Sequence, residues 1–234
     1  MINIAGNDII DIAVGSTPIE KAYIGSTLVW EKNAATVEDA DGNLYYIKNY
    51  IETCVGTKYC SIGIKTNETD YFETKIYLPS TARNYPCGGY SSNNSNDYGL
   101  KCYSSSLRFA YDTGTIYYSK SYGNQTFTFK EEYNPDNSTM YFYIYNSSGA
   151  QVFSSSTAKR SGTTSKEFLI GDYNGSSYGS EDGTKFYYFK FWRNQTLVRD
   201  MIPVQSVDTG EYGFFDKVNL KIYYSSGSSS FTGG

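Results

Sequence analysis

The sequence has no histidine, and prolines and tryptophans are few, with 5 and 2 in 234 residues. Without histidine, neither a Ser-His-Asp nor a Cys-His catalytic arrangement can form, although other nucleophile–base pairs remain open. The usual zinc sites are poorly supplied for the same reason. These absences favour a binding or structural protein over a hydrolase of those classes.

Long apolar runs are also lacking. No stretch is long enough to cross a bilayer as a helix, so we expect no membrane insertion. The first residues, "MINIAGNDIIDIAVGS", have no basic region before their apolar residues, which predicts that there is no signal peptide. We therefore expect synthesis in a cytoplasm, with the protein kept there or carried out within an assembly.

Charge of one sign is not in large excess. Twenty basic residues against 24 acidic residues give a net charge of −4. Proteins that bind nucleic acid usually present a basic face to the phosphates, so the composition argues against a nucleic-acid partner.

The four cysteines follow no metal-binding pattern. They stand at Cys54, Cys60, Cys87 and Cys102, with no Cys-x-x-Cys pair among them. We expect free, buried thiols, because the chain shows no secretion signal. Pairing stays open if the protein matures outside a cell.

Aromatic and turn-forming residues are abundant instead, with 26 Tyr, 13 Phe and 22 Gly. Aromatic side chains favour strands, and Gly, Ser and Asn favour the turns between strands. Apolar and polar residues alternate in "YFETKIYLP" (71–79), and "STMYFYIYNSSGAQVF" (138–153) predicts a hairpin that turns at "NSSG". The sequence therefore predicts an all-β protein of two packed antiparallel sheets, a sandwich or jelly roll.

The first 32 residues differ from the rest. An apolar-Gly-Ser-Thr unit begins at 14 and recurs ten residues later at 24, and each copy predicts a short strand leading into a turn. Strands this short cannot bury a core alone. We therefore divide the chain into an N-terminal β module for docking or oligomerisation (1–32), a linker (33–42) and a main β domain (43–234).

Both ends of the main domain resemble a known family. "YIETCVGTKYCSIGIKTNETDYFETKIYLPS" (50–80) is similar to the opening strands of concanavalin A-like, laminin-G-like jelly-roll domains of gut bacteria and their phages. The ending "KFYYFKFWRNQTLVRDMIPVQSVDTGEYGFFDKVNLKIYY" resembles the closing strands of that group. The N-terminal "KAYIGSTLVWEK" resembles a short module of gut-phage virion proteins.

The resemblance implies a phage virion protein without enzymatic activity or cofactor. Its jelly roll would adhere to a carbohydrate of the host surface, and residues 1–32 would join other virion proteins. We expect a homo-oligomer such as a trimer, located on the virion. Two alternatives are a virion decoration or scaffold subunit that binds no ligand, and a laminarinase-type glycoside hydrolase.

Two polar loops are the first candidate for ligand binding. "NYPCGGYSSNNSNDYG" (84–99) and "GDYNGSSYGSEDG" (171–183) mix Tyr, Asn, Asp and Gly, as adaptable recognition surfaces do. Plain solvated loops are the simpler interpretation of both segments. Their acidic residues lack the regular spacing of calcium ligands, so we expect no metal. The candidate ligand-binding residues are Tyr90, Asn94, Asp97, Tyr98, Tyr173, Asn174 and Tyr178.

A tyrosine stripe is the second candidate. Tyr141, Tyr143 and Tyr145 alternate with apolar residues and therefore share one face of a strand. Tyrosine rings on such a face can stack on sugars while their hydroxyls form hydrogen bonds. The simpler interpretation, which we favour, is that they cover the outer face of a strand or pack in a subunit interface.

The segment "ETDYFE" (68–73) has the Glu-x-Asp-x-x-Glu spacing of laminarinase-type catalytic strands. However, Glu68 and Asp70 fall where the resemblance places a turn, and catalysis requires a carboxylate pair in a cleft. A solvated turn is the simpler interpretation, and we predict no catalytic residues.

The C-terminal "GEYGFFDKVNLKIYY" (210–224) predicts a closing strand. We expect Phe214 and Phe215 to pack inward or against the neighbouring strand. Arg199 is expected to pair with Asp200 or Asp216 across the last two strands. Because a chain end must be tied down to stay ordered, this stretch is interpreted as structural.

Overall fold

The computed structural model describes residues 35–54, 56–79, 84–89, 97–103, 105–112, 114–173 and 179–234, and the backbone of six short strands within 1–34. The chain forms two compact units, Met1–Thr36 and Val37–Gly234. The division between them falls inside the predicted linker 33–42.

The first unit consists of short strands that pair as antiparallel hairpins. Its strands are β1 (Asn3–Ile4), β2 (Asn7–Asp8), β3 (Ile12–Val14), β4 (Thr17–Ile19), β5 (Lys21–Ile24) and β6 (Thr27–Glu31). Strands pair as β1 with β2, β3 with β4, and β5 with β6. The threonine of each repeated Gly-Ser-Thr unit begins the second strand of a pair, Thr17 in β4 and Thr27 in β6.

Strands also make up the second unit, and none of its described residues is helical. The first nine are β7 (Thr36–Glu38), β8 (Leu44–Ile47), β9 (Ile51–Thr53), β10 (Cys60–Lys65), β11 (Tyr71–Leu78), β12 (Asn84–Gly89), β13 (Asp97–Tyr103), β14 (Ser106–Asp112) and β15 (Gly114–Tyr118). The remaining nine are β16 (Gln125–Asn134), β17 (Thr139–Tyr145), β18 (Gln151–Ala158), β19 (Glu167–Ile170), β20 (Thr184–Arg193), β21 (Thr196–Ser206), β22 (Tyr212–Asp216), β23 (Lys221–Tyr223) and β24 (Thr232–Gly233).

Two antiparallel sheets face each other. The larger sheet has the order β18-β17-β16-β11-β20-β21-β22-β23, with β7, β8, β9 and β24 paired at its side. The smaller sheet has the order β10-β19-β12-β13-β14-β15. The predicted all-β architecture of two packed antiparallel sheets is therefore confirmed.

The core lies between the two sheets and is mainly aromatic. Residues alternate inward and outward along each strand, so Phe72 and Thr74 of β11 are buried while Glu73 and Lys75 reach solvent. Phe72 of the larger sheet contacts Phe168 of the smaller one, with ring centroids 5.5 Å apart. Such aromatic contacts join the sheets and fix which residues face outward.

The closing stretch departs from the predicted single strand. It forms β22 and β23, which are joined by a turn at 217–220 with Leu220 at a φ of 51°. Phe214 packs in the main core, and Phe215 packs in a small second core with Tyr45 and Val204. Both packing predictions are confirmed, and burial of the two rings holds the chain end against β21.

The expected ion pair also forms, with Asp216 rather than Asp200. Arg199 Nε lies 3.6 Å from Asp216 Oδ2, and the Asp216 carboxylate is fully buried. Asp216 Oδ1 accepts a hydrogen bond of 3.0 Å from the Asp200 backbone N–H. This carboxylate therefore ties β21 to β22 through its side chain.

The cysteines are free as expected, and one long aromatic segment forms two strands. All four cysteines are unpaired, and Cys60, Cys87 and Cys102 are buried. The segment "KFYYFKFWRNQTLV" (185–198) divides into β20 and β21 at Asn194 and Gln195, whose φ angles are 48° and 68°. A two-residue hairpin turn of type I′ has positive φ at both positions, which the alternation pattern could not indicate.

Candidate functional site

The outer side of the larger sheet carries two groups of aromatic rings, which we together call the aromatic face. Alternation along β11, β17 and β20 points these side chains away from the core. Its members are Tyr71, Tyr141, Tyr143, Tyr145, Tyr188 and Trp192. The predicted tyrosine stripe is therefore on the outer face of a strand, and its apolar neighbours on β17 are fully buried.

The rings of this face lie close together. Tyr141 and Tyr143 are nearly parallel, with centroids 6.5 Å apart and an interplanar angle of 12°. Tyr145 continues the row at 6.4 Å from Tyr143. On the adjacent strands, Tyr71 and Trp192 stack at 5.2 Å with an angle of 7°. The rings of Tyr141, Tyr143, Tyr145 and Trp192 are partly exposed, whereas Tyr71 is only 8% exposed.

Charged side chains stand between the tyrosines and the Tyr71–Trp192 pair. Lys130 Nζ lies 3.3 Å from Glu132 Oε2 and 5.9 Å from the centroid of the Tyr143 ring. Burial opposes the charge of Lys130, but the Glu132 carboxylate next to it raises its pKa above the ordinary value. Burial and then the nearby Glu132 carboxylate raise the pKa of Tyr143, so its hydroxyl keeps its proton.

A groove of about 250 Å³ opens at one end of the aromatic face. It is lined by Glu132, Tyr133, Asn134, Pro135, Tyr141, Tyr143 and Gln195. Small-molecule pockets typically have volumes of about 300–1,000 Å³, so this groove suits a single ring rather than a large ligand. Its walls combine ring surface with carboxylate and amide groups.

Gln195 reaches the groove because of the β20–β21 turn. Its Nε2 donates a hydrogen bond of 2.7 Å to the carbonyl oxygen of Tyr133 on β16. The bond fixes the amide beside the carboxylate of Glu132 and leaves its oxygen without a partner in the described structure. An amide held in this way can accept a hydrogen bond from a ligand hydroxyl.

The loop residues predicted to bind ligand are placed apart from this groove. Tyr90, Asn94, Asn174 and Tyr178 lie outside the described residues. Asp97, Tyr98 and Tyr173 belong to the smaller sheet or its edge, so they are not joined to the tyrosine stripe in one site.

Tyr98 differs from its predicted surface position. Residues alternate along β13, and Tyr98 points into the core with no exposed area. Its hydroxyl lies 2.9 Å from the carbonyl oxygen of Asp70 and also bonds to the carboxylate of Glu131. The ring therefore serves to connect the two sheets.

Asp97 and Tyr173 do lie near each other, on the outer side of the smaller sheet. Lys101 forms an ion pair with Asp97, and its ammonium lies 4.9 Å from the centroid of the Tyr173 ring. Tyr173 lies flat against Gly88, where an added Cβ would come within 2.4 Å of the ring. Because Tyr173 is only 3% exposed, it offers little ring surface to a ligand.

The carboxylates of "ETDYFE" have three different partners. Residues 68–69 form the predicted turn, where Glu68 pairs with Lys159 at 2.6 Å. Asp70 was expected in a solvated turn, but it is fully buried and paired with Arg193. Glu73 stands on the aromatic face and accepts a hydrogen bond of 2.8 Å from the Tyr188 hydroxyl.

Sequence reasoning missed the polar partners of the tyrosine stripe. Lys130 and Glu132 lie opposite Tyr143 and Tyr141 in the β16–β17 register, which only strand pairing reveals. Gln195 lines the groove from the β20–β21 turn, which is more than 50 positions after Tyr143 in the chain. The alternation of "TFTFKEEY" (126–133) places Lys130 and Glu132 on the outer face of a strand. This pattern is the sequence signal from which the two polar partners could have been predicted.

Among the described residues, no group of three or more Cys, Asp or Glu side chains is arranged to hold a metal ion. In the same part of the chain, no helix is long and apolar enough to cross a membrane.

No protein-family model matches the sequence, and no curated protein is significantly similar to it. Among solved structures, the native heptameric SAP-like pentraxin of Limulus polyphemus is similar to this chain with a TM-score of 0.43 and 11% identity, over 62% of this chain and 76% of the pentraxin. Domains LG4-5 of mouse laminin α1 give a TM-score of 0.44 and 10% identity, over 78% of this chain and 52% of theirs. A protein of unknown function from Shewanella oneidensis MR-1 gives 0.37 and 12% identity, over 67% and 72%.

Proposed function

We propose that this protein is a glycan-binding adhesin whose sugar site is the groove at the end of the aromatic face. The observation that carries the proposal is the lining of that groove, where Tyr141 and Tyr143 stand beside Glu132 and Gln195. Pyranose rings have an apolar face that packs on aromatic rings and hydroxyls that need hydrogen-bond partners. The groove offers both within one ring-sized space.

The charge balance of the groove favours a neutral sugar. Lys130 and Glu132 neutralise each other at 3.3 Å, so the site has no net charge to attract an acidic or basic ligand. Sugar hydroxyls can donate to the Glu132 carboxylate and to the amide oxygen of Gln195, which both line the groove. We therefore propose a neutral hexose of a bacterial surface polysaccharide as the ligand.

Replacing Tyr143 by alanine is expected to weaken binding of a neutral oligosaccharide at least tenfold, which corresponds to about 1.4 kcal/mol. The substitution removes one stacking surface and opens the wall of the groove. Tyr145→Ala is the matched control, because Tyr145 lies on the same strand but does not line the groove. Calorimetric titration with neutral oligosaccharides from candidate bacterial polysaccharides measures both variants.

Equal losses in the two variants would show that the groove is not the site. Absence of binding to every oligosaccharide would favour a virion decoration subunit without a ligand. Sugar release from a polysaccharide, abolished by Glu73→Gln, would instead favour the glycoside hydrolase.

We also propose that the adhesin is part of a phage virion and is attached through residues 1–32. The support is the resemblance of "KAYIGSTLVWEK" and of the main domain to gut-phage proteins. The adhesin would then present its aromatic face to the host surface, and several copies would raise avidity by binding a repetitive polysaccharide together.

A chain that lacks residues 1–34 is expected to be monomeric, whereas the full-length chain forms a homo-oligomer such as a trimer. The reason is that the second unit has its own core, while the short strands of the first cannot bury one alone. Light scattering coupled to size-exclusion chromatography measures both masses. Equal oligomeric states for the two chains would remove the role of 1–32 in assembly.

A further inference from the structure

The outer side of the smaller sheet carries a second cluster of aromatic and basic side chains, separate from the aromatic face. Strand pairing aligns Lys101, Arg108 and Tyr117 in one row across β13, β14 and β15. All three therefore project from the same outward face. Tyr117 is 59% exposed, the highest value among the large apolar side chains of the described residues.

Arg108 is held in a fixed position within this row. Its Nε donates a hydrogen bond of 2.7 Å to Ser106 Oγ, and its guanidinium carbon lies 4.1 Å from the centroid of the Tyr103 ring. Tyr103 is itself oriented by a hydroxyl–hydroxyl contact of 2.6 Å with Tyr85. On the other side, the exposed Tyr117 ring lies 5.7 Å from the guanidinium.

Nevertheless, Arg108 has no acidic partner among the described residues. Two other arginines of the unit are paired, Arg193 with Asp70 and Arg199 with Asp216. The neighbouring Lys101 is neutralised by Asp97. Within the part of the chain that the structure describes, both terminal nitrogens of Arg108 are therefore left without a hydrogen bond, in a half-buried position that solvent reaches.

We propose that Arg108 and Tyr117 form a second binding site, which recognises the carboxylate of an acidic sugar such as a hexuronate. A guanidinium offers two parallel N–H donors that match the two oxygens of a carboxylate in one plane. Since Arg108 contributes a single uncompensated positive charge, it matches the single negative charge of a carboxylate. The exposed Tyr117 ring then packs against the sugar ring that carries it.

The acidic overall composition makes this site selective. With a net charge of −4, the protein does not attract anions in general. Binding of an acidic sugar therefore depends on local geometry, in which the guanidinium is already oriented before the ligand arrives. A preoriented side chain loses less conformational entropy on binding than a free one.

The test is calorimetric titration of the full-length chain with trigalacturonate and with its carboxyl-reduced counterpart. In the Tyr143→Ala variant, whose groove is impaired for neutral sugars, we expect binding of the acidic trisaccharide and at least tenfold weaker binding of the reduced one. Arg108→Gln should weaken trigalacturonate binding at least tenfold, and Arg108→Lys should also weaken it because the ammonium lacks the planar fork. Lys120→Gln, which removes an exposed positive charge three positions after Tyr117 in the chain, is the control and should stay within twofold.

Tyr117→Ala provides a second test that does not depend on Arg108. Its side chain is largely exposed, so the fold should tolerate the change, and binding should still fall several-fold. Equal binding of the two trisaccharides by Tyr143→Ala, or unchanged binding by both Arg108→Gln and Tyr117→Ala, would overturn the proposal. Tyr143→Ala should leave trigalacturonate binding unchanged. The proposal for Arg108 and the proposal for the groove of the aromatic face can therefore be refuted independently.

Discussion

Replacing Arg193 by methionine is expected to lower the free energy of unfolding by about 2–3 kcal/mol, since it leaves the fully buried Asp70 carboxylate without its countercharge. The loss is smaller than for a fully buried pair because the Arg193 side chain is 36% exposed. The Arg193 guanidinium donates two hydrogen bonds to the Asp70 carboxylate. Its Nε lies 2.9 Å from Oδ1, and one terminal nitrogen lies 2.7 Å from Oδ2. Asp70 is fully buried and also accepts the backbone N–H of Asn67 at 2.8 Å. Urea unfolding at pH 7 measures the loss.

A neighbouring ion pair supplies the control. Lys159 pairs with Glu68 of the same turn at 2.6 Å, but the two side chains are 32% and 43% exposed. Exposed pairs contribute about 0–1 kcal/mol, so Lys159→Met should have little effect. The double variant Asp70→Asn/Arg193→Met should recover part of the loss by removing the buried charge. Similar losses in Arg193→Met and Lys159→Met would contradict the assignment.

Replacing Glu131 by glutamine is expected to make the protein less sensitive to alkaline pH. Glu131 lies on β16 with its side chain in the core, and its carboxylate contacts the Tyr98 hydroxyl of the opposite sheet. That hydroxyl also lies 2.9 Å from the carbonyl oxygen of Asp70, which can only accept. A hydroxyl has one proton, so both contacts are satisfied together when Glu131 is protonated and donates to Tyr98.

The direction of the pKa agrees with this hydrogen-bond arrangement. Burial raises the pKa of Glu131 from 4.5 to about 8, although the Tyr98 hydroxyl and the Arg160 guanidinium act in the opposite direction. The folded state therefore binds more protons than the unfolded state between these two values. It follows that the contribution of Glu131 to stability is fully present below pH 4.5 and is lost as the pH rises towards 8.

Glutamine keeps the shape of the side chain and has no proton to lose. The difference in unfolding free energy between Glu131→Gln and the unmodified chain should therefore shift by up to about 5 kcal/mol in favour of the variant between about pH 4.5 and 9, since the pKa rises from 4.5 to about 8 and one pKa unit corresponds to about 1.4 kcal/mol. Urea unfolding of both proteins across this range measures the shift, and taking the difference cancels the other titrating groups. A constant difference would show that Glu131 is ionised in the folded protein.

The Arg193–Asp70 ion pair and the Glu131–Tyr98 contact both stabilise strands that carry the proposed sugar site. Glu131 stands between Lys130 and Glu132 on β16, and Arg193 ends β20 next to the turn that positions Gln195. The polar contacts inside the sandwich therefore fix the strands whose outer residues line the groove. We expect variants of Glu131 and Arg193 to alter sugar affinity only through stability.

Local sequence patterns are sufficient to predict the fold class and, for most strands, which side chains point into the core. Alternation of apolar and polar residues requires one buried face, so the pattern alone assigns Met140, Phe142 and Ile144 to the core and the tyrosine stripe to the surface. The same alternation places Phe214 inside. These assignments are local, since each strand carries its own pattern.

Contacts between distant strands, by contrast, determine which of these faces becomes a candidate site. The pattern of β16 also puts Glu131 on the core side, but only the Tyr98 hydroxyl of the other sheet explains how a carboxyl group is accommodated there. Likewise, the sequence predicts Tyr98 in a binding loop, whereas it lies in the core because β13 starts at Asp97. Gln195 joins the groove and Arg108 stacks on Tyr103 through register and turn geometry. Those depend on contacts between residues far apart in the chain, which a periodicity of two cannot encode.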